Sequence, residues 1–161
     1  MAQSPVMVAI CGVKNSGKTT LIEKLVSRMA EDGKRVAVIK HDGHDFTCDI
    51  PNTDTYRCSQ AGAYGVAAFS SGRVFVHRKG TGESEKELFR LFSDADVILV
   101  EGLKDSEYRK IEVVRGAVSR DPVSNPAGRF LIVSDLPSNC FQEECLGFDE
   151  IDAIIQRIFR S

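Results

Sequence analysis

The sequence predicts an α/β fold in which helices cover both faces of a mixed, mostly parallel sheet. Three observations lead there. Apolar runs of strand length alternate with stretches of helical period along the chain. A glycine-rich turn joins the first such strand to the first helix. A Ser71-Gly72 step separates two strand-like runs near the middle and reads as one inserted hairpin.

Residues 6–11 form an apolar, β-rich run stopped by Gly12, as a buried strand would be. Residues 20–32 follow with Leu21, Leu25 and Met29 at i, i+4 and i+8, and Gly33 stands where a helix ends. Residues 35–40 make a second strand, and two strands joined by a helix of this length are parallel. Residues 41–53 are polar, contain Gly43 and Pro51, and read as a loop. Residues 54–62 read as a short helix capped by Thr53 or Asp54 and stopped by Gly62. The hairpin pairs 64–70 with 73–78. An amphipathic helix is expected over 83–92, with Leu88, Leu91 and Phe92 as its apolar stripe. Strands follow at 96–100, 111–114 and 130–134, with a surface loop over 116–128. A last helix over 148–159 carries Ile151, Ile154, Ile155 and Ile158 in its stripe.

A chain of 161 residues suits one hydrophobic core, and its 42% hydrophobic and 27% charged composition is that of a globular protein. Net charge is -2, with Lys and Arg scattered, so no basic field draws it to nucleic acid or an anionic membrane. No apolar stretch approaches the ~20 residues a membrane helix needs. Residues 1–5 lack a charged region followed by a long apolar one, so a cytoplasmic location is expected. The five cysteines include no CxxC pair. Free cytosolic thiols are the expectation, with zinc or redox use as the alternative.

Chemistry concentrates at Gly12-Val13-Lys14-Asn15-Ser16-Gly17-Lys18-Thr19, which matches G-x-x-x-x-G-K-[ST] without deviation. A chance match in a chain this long is of order one in two hundred, and the match sits between a strand and a helix, where its mechanism requires it. Gly12 and Gly17 let the backbone turn its N–H groups toward phosphate oxygens, and the helix aims its positive end at the same place. Asn15, Ser16 and Thr20 complete the cradle. Lys18 supplies a cation for the β- and γ-phosphates, and the Thr19 hydroxyl suits Mg²⁺. Lys14 either reaches a phosphate or a partner, or stays solvated. With this motif the fold sharpens to a three-layer P-loop NTPase sandwich, a single nucleotide-binding domain over residues 1–161.

The metal needs a second acidic group. Glu101 ends the strand over 96–100 and would point into the crevice at the carboxyl ends of the strands, with Gly102 permitting close approach of the γ-phosphate. Asp94 and Asp96 precede that strand, at the opposite end of the sheet. The segment Lys40-His41-Asp42-Gly43-His44-Asp45-Phe46-Thr47-Cys48-Asp49 holds two histidines and three aspartates in ten residues. It reads as a nucleotide-responsive loop with Asp49 as a second metal carboxylate, as solvated loop, or as a transition-metal site of His41, His44 and Cys48. Arg57 would pair with one of these acids or with a phosphate.

In order, these segments resemble the MobB family of molybdenum-cofactor (molybdopterin guanine dinucleotide) biosynthesis. The resemblance rests on Val8 to Leu21, Ile39-Lys40-His41, Asp54-Thr55-Tyr56-Arg57 running into Ala61-Gly62-Ala63, and Val97-Ile98-Leu99-Val100-Glu101-Gly102-Leu103-Lys104. It implies GTP and Mg²⁺ binding at Gly12 to Thr19, with Asp49 and Glu101 near the metal. It also implies a homodimer that assists a MobA-like guanylyltransferase acting on molybdopterin, with slow hydrolysis at most. This chain departs from the family pattern at Cys58, where a basic residue or histidine is usual, and at Asn52-Thr53, where Gly-Lys is usual. The N/T-K-x-D guanine signature is missing. Asp135, after the strand over 130–134, would either accept from guanine N1 and N2 or cap a turn before Pro137. Two other readings remain: a metallochaperone GTPase of the HypB or UreG kind, and a small-molecule kinase with Arg115, Arg120 and Arg129 around a lid.

Overall fold

In a computed structural model, which describes residues 4–41, 48–80 and 85–160, the chain divides into two compact units, 1–41 with 88–161 and 42–87. The larger unit holds a six-stranded sheet ordered β2-β5-β1-β6-β7-β8. Its strands are β1 (Val6–Cys11), β2 (Val36–Lys40), β5 (Val97–Glu101), β6 (Lys110–Val114), β7 (Arg129–Ser134) and β8 (Cys145–Leu146). Every pairing in this sheet is parallel. The antiparallel part of the fold is the hairpin β3 (Gly65–Phe69) and β4 (Val74–Arg78), a separate two-stranded sheet.

Alternation along each strand sorts side chains between two faces. Val97 and Leu99 of β5 join Val8, Ile10, Ile111, Val113, Leu131 and Val133 on one face. There they meet α1 (Lys18–Glu31) through Leu21, Leu25 and Met29, and α4 (Ile151–Ile158) through Ile154 and Ile158. Ile98 and Val100 face the other way and pack with Ala37, Ala95 and Phe89, the last from α3 (Glu85–Arg90). The layers are therefore helix, sheet and helix.

On β6 the second face is different. Lys110 and Glu112 are fully buried, yet the segment above them is loop rather than helix. Loop backbone needs hydrogen-bond partners when covered, and these two side chains supply them. Lys110 Nζ donates to the carbonyls of Ser106, Asn125 and Ala127. Glu112 Oε1 accepts from Val123 N at 2.8 Å. Arg109 does similar work at the end of α4. Its guanidinium lies over Phe130 and donates to the carbonyls of Arg157, Ile158 and Arg160.

The elements follow the sequence closely, with three corrections. Helix α4 begins at Ile151, not 148, because residues 147–150 form a turn in which Glu150 N bonds Gly147 O. Helix α1 begins at Lys18, two residues earlier than its apolar period suggests, because Gly17 at φ 99 is its N-cap. The helix expected over 83–92 is described only from Glu85 and stops at Arg90. Leu91 and Phe92 bond back to Leu88 and Phe89, tightening the turn. That turn throws Leu91 outward to 71% exposure, and Phe89 is the residue that packs against the sheet. The unanticipated β8 has two residues, too few to carry a period. In the smaller unit, α2 (Asp54–Gln60) is capped by Thr53, whose hydroxyl accepts from Tyr56 N.

Lys110→Met keeps the side-chain volume and strips three buried carbonyls of their donor. It is expected to cost about 3 kcal/mol of stability, read as a lower urea midpoint. An unchanged midpoint would show that the Lys110 bonds do not hold the loop.

Candidate functional site

The loop from Gly12 to Thr19 is shaped by residues that tolerate positive φ. Gly12 has φ 140, and a Cβ there would stand 2.5 Å from the Val113 carbonyl oxygen and 2.8 Å from Ser16 Oγ. Asn15 at φ 64 uses the left-handed region that asparagine visits more readily than most residues. Gly17 then starts α1, whose first turn has no side-chain cap. Its leading N–H groups therefore face the loop with their dipole.

Lys18 folds its ammonium over the loop, donating to Gly12 O at 3.0 Å and Val13 O at 2.8 Å. The Thr19 hydroxyl lies 3.2 Å from Glu101 Oε2. The two meet because β1 and β5 pair in parallel with Ile10 opposite Glu101. Lys14, Asn15, Gly17, Lys18, Thr19, Thr20 and Glu101 line one open cavity of about 420 Å³, a volume in the range of ligand pockets. Ser16 Oγ, in the same loop but not on the cavity lining, is buried without a hydrogen-bond partner among the described residues.

Behind Glu101 the chain turns sharply. Gly102, at φ 117, donates its N–H to Ile10 O at 3.0 Å, and a Cβ on it would stand 3.0 Å from the His41 carbonyl oxygen. The close approach that Gly102 permits here is thus by His41. Cys11 Sγ donates to Gly102 O at 3.1 Å. Burial, with the Glu112 carboxylate adding to it, raises the Cys11 thiol from 9.0 to about 11.

Two further carboxylates have their own partners. Asp135 Oδ1 accepts from Gly116 N at 2.7 Å, and its Oδ2 lies 3.9 Å from Arg115. The turn before Pro137 is capped instead by Ser134, whose Oγ accepts from Leu136 N at 3.0 Å. Asp49 belongs to the smaller unit. Its Oδ1 accepts from Ile50 N at 2.9 Å and lies 3.2 Å from the hydroxyls of Thr53 and Thr55, just ahead of α2. The departures at Asn52-Thr53 have a local use: Asn52 turns at φ 71 and Thr53 is the helix cap. Arg57 stands 4.0 Å from Asp54, one turn along its own helix.

Other expectations divide. Residues 42–47, including His44, lie outside the described residues. Among the described residues no group of three His, Cys, Asp or Glu is gathered as for a metal. Cys48, Cys58 and Cys140 are exposed, Cys145 is half-buried, and all are free. Arg129 is no lid residue: it is pinned to Glu143 at 2.6 Å and to Ser124 O at 2.9 Å. Arg115 bonds instead to the loop from Gly12 to Thr19, donating from Nε to Ser16 O at 3.2 Å. The Arg115 guanidinium also lies over the Phe148 ring. The sequence suggests only a lid for Arg115 and no contact for Phe148, since no local pattern signals the Arg115–Ser16 bond across 99 residues.

Comparison with known proteins gives consistent results. The family profile for molybdopterin guanine dinucleotide synthesis protein B matches residues 7–135. The Escherichia coli (strain K12) molybdopterin-guanine dinucleotide biosynthesis adapter protein is 34% identical over 140 residues, 83% of this chain and 80% of that protein. A putative molybdopterin-guanine dinucleotide biosynthesis adapter protein from Methanocaldococcus jannaschii is 38% identical over 103 residues, 62% of this chain and 42% of that protein. Among solved structures, a molybdopterin-guanine biosynthesis protein B superposes with TM-score 0.76 at 25% identity, covering 94% of this chain and 97% of that one. Bacillus subtilis MobB superposes with TM-score 0.74 at 21% identity, covering 94% and 96%.

The Cys11 geometry carries a chemical consequence. At pH 8 thiolate-directed reagents are expected to modify Cys48, Cys58 and Cys140 quickly, and Cys11 only on unfolding. Because the folded state holds the Cys11 proton more tightly than the unfolded chain, its contribution to stability is full below pH 9 and fades as pH rises through about 11. Mass spectrometry after a short labelling pulse checks this; early labelling of Cys11 would place the thiol at the surface.

Proposed function

This chain belongs to the molybdopterin guanine dinucleotide synthesis protein B family, and from that membership we propose that it is a cytoplasmic GTP-binding adapter in molybdopterin guanine dinucleotide biosynthesis. The observation that carries this reading is the assembly of Lys18, Thr19 and Glu101 around one cavity at the N-terminus of α1. Backbone N–H groups and a lysine suit the β- and γ-phosphates of a nucleotide. The orphaned Ser16 Oγ offers a further polar group in the loop.

The residues also fit Mg²⁺. A hydroxyl and a carboxylate 3.2 Å apart are the hard oxygen donors that this ion prefers. Thr19 would ligate it directly and Glu101 directly or through water. Bound there, the ion would neutralise charge on the β- and γ-phosphates. Asp135 is the group proposed to accept from the guanine N1 and N2 positions. Its Oδ1 accepts from Gly116 N and its Oδ2 lies 3.9 Å from Arg115, so the carboxylate would meet the base while held by both.

As an adapter, the chain would present nucleotide to a MobA-like guanylyltransferase acting on molybdopterin, hydrolysing GTP slowly at most. We further propose that it works as a homodimer. In the hairpin, Phe69 pairs with Val74 and Ala67 with Val76, so these four share one face. Phe69 is 87% exposed, and the valines are exposed with it. A lone two-stranded sheet is marginal in water, and a second copy would cover this apolar face.

Calorimetric titration with GTP and with ATP, each with and without Mg²⁺, tests the nucleotide reading. GTP is expected to bind more tightly than ATP, and Lys18→Ala is expected to abolish binding while the circular dichroism spectrum stays unchanged. A clear preference for ATP, or wild-type affinity in the Lys18 variant, would refute the assignment. Glu101→Gln should reduce the gain in affinity that Mg²⁺ brings by about tenfold. An undiminished Mg²⁺ effect would remove Glu101 from the metal site.

A further inference from the structure

The phosphate loop is braced from behind by a side chain that the proposed function leaves without a task. Arg115 directly follows β6, and its Nε donates to the Ser16 carbonyl at 3.2 Å. That carbonyl shares one peptide unit with the Gly17 N–H. The peptide bonds of the described residues are trans, and in a trans peptide the carbonyl and the N–H point in opposite directions. Drawing Ser16 O back toward Arg115 therefore turns the Gly17 N–H away from Arg115. Gly17 lines the cavity, and Arg115 is not among its lining residues. Its lack of a side chain also serves this contact, because a Cβ would stand 3.0 Å from Arg115 Nη2. Without the brace the peptide is freer to turn, since glycine restrains its flanking dihedrals least.

Arg115 is itself held on two more sides. Its guanidinium lies 4.3 Å from the centroid of the Phe148 ring, and Nη1 is 3.9 Å from Asp135 Oδ2. A planar, delocalised cation can stack and donate at once, which an ammonium cannot do. The ends of β6 and β7 and the segment after β8 thus converge on one peptide of the loop. Resting on the nucleotide-binding reading above, we infer that Arg115 is a positioning residue for phosphate recognition. It fixes the Ser16–Gly17 peptide so that the Gly17 N–H is presented to a phosphate oxygen, and Phe148 and Asp135 hold it in place for that task.

The test combines affinity with a local probe. The full-length chain, labelled with ¹⁵N-glycine, is titrated with GTP and Mg²⁺ as wild type, Arg115→Ala and Arg115→Lys. Wild type is expected to bind and to move its Gly17 amide proton strongly downfield, as a new charge-assisted hydrogen bond would. Arg115→Ala is expected to bind about tenfold or more weakly, with most of the downfield shift lost. Arg115→Lys should recover charge but not the fork, and fall between the two. If the alanine variant does not fold, as judged by thermal melting without nucleotide, the lysine variant against wild type supplies the same comparison. A variant with wild-type affinity, or with an unchanged Gly17 response, overturns the role of Arg115 alone. A wild-type chain that does not bind GTP overturns the proposed function, and the role of Arg115 with it.

Discussion

Parallel pairing of β1 between β5 and β6 governs where everything else at the site can be. Parallel strands bring like ends together, so the residues just past Cys11, Val100 and Val114 emerge side by side. The first of these is the glycine-rich loop, the second is Glu101, and the third is Arg115. None of the three is near another in sequence. The register that sets Ile10 against Glu101 also sets Cys11 against Glu112. A slip of one residue would turn Glu101 away from Thr19 and bury an apolar neighbour's place with charge.

The same sheet is finished differently on its two sides. Facing α1 and α4, the strands present apolar groups, with Glu101 at the carboxyl end of β5 as the charged exception, and dispersion and burial hold the layers together. On the opposite side of β6, loop backbone takes the place of a helix. A helix arrives with its hydrogen bonds already made; a loop does not. The fully buried Lys110 and Glu112 are the response to that difference: Lys110 bonds three carbonyls, while Glu112 takes one N–H through Oε1 and keeps Oε2 unpartnered among the described residues. Buried ions are costly unless solvated by such partners, so these contacts fix the loop's position more than they add net stability.

This contrast also explains how far the sequence could be read. The phosphate loop, α1, α2 with its Thr53 cap, the hairpin and α4 are announced by local signals: glycines at fixed places, caps, and a clean period. Glu101 could be placed because a strand's end is a local feature. Lys110 and Glu112 could not. In Lys-Ile-Glu-Val-Val the charges alternate with apolar residues, and a period of two assigns them to solvent; only the covering loop, supplied from residues 103–128, reverses that. Leu91 and Phe92 continue a helical period that a tightened turn then breaks. Whether Asp135 caps the turn before Pro137 was not legible locally: the side chain that takes Leu136 N is Ser134, and Asp135 reaches Gly116 N, 19 residues away, instead.

The Lys110 anchor has a consequence for how this segment can drift in sequence. The groups it grips are the main-chain oxygens of Ser106, Asn125 and Ala127. Any amino acid offers the same oxygen, so the gripped positions impose little on their own side chains. For this grip the burden of specificity falls on one lysine, and what remains fixed in the loop is what its own side chains bond, as Ser106 and Asn125 do.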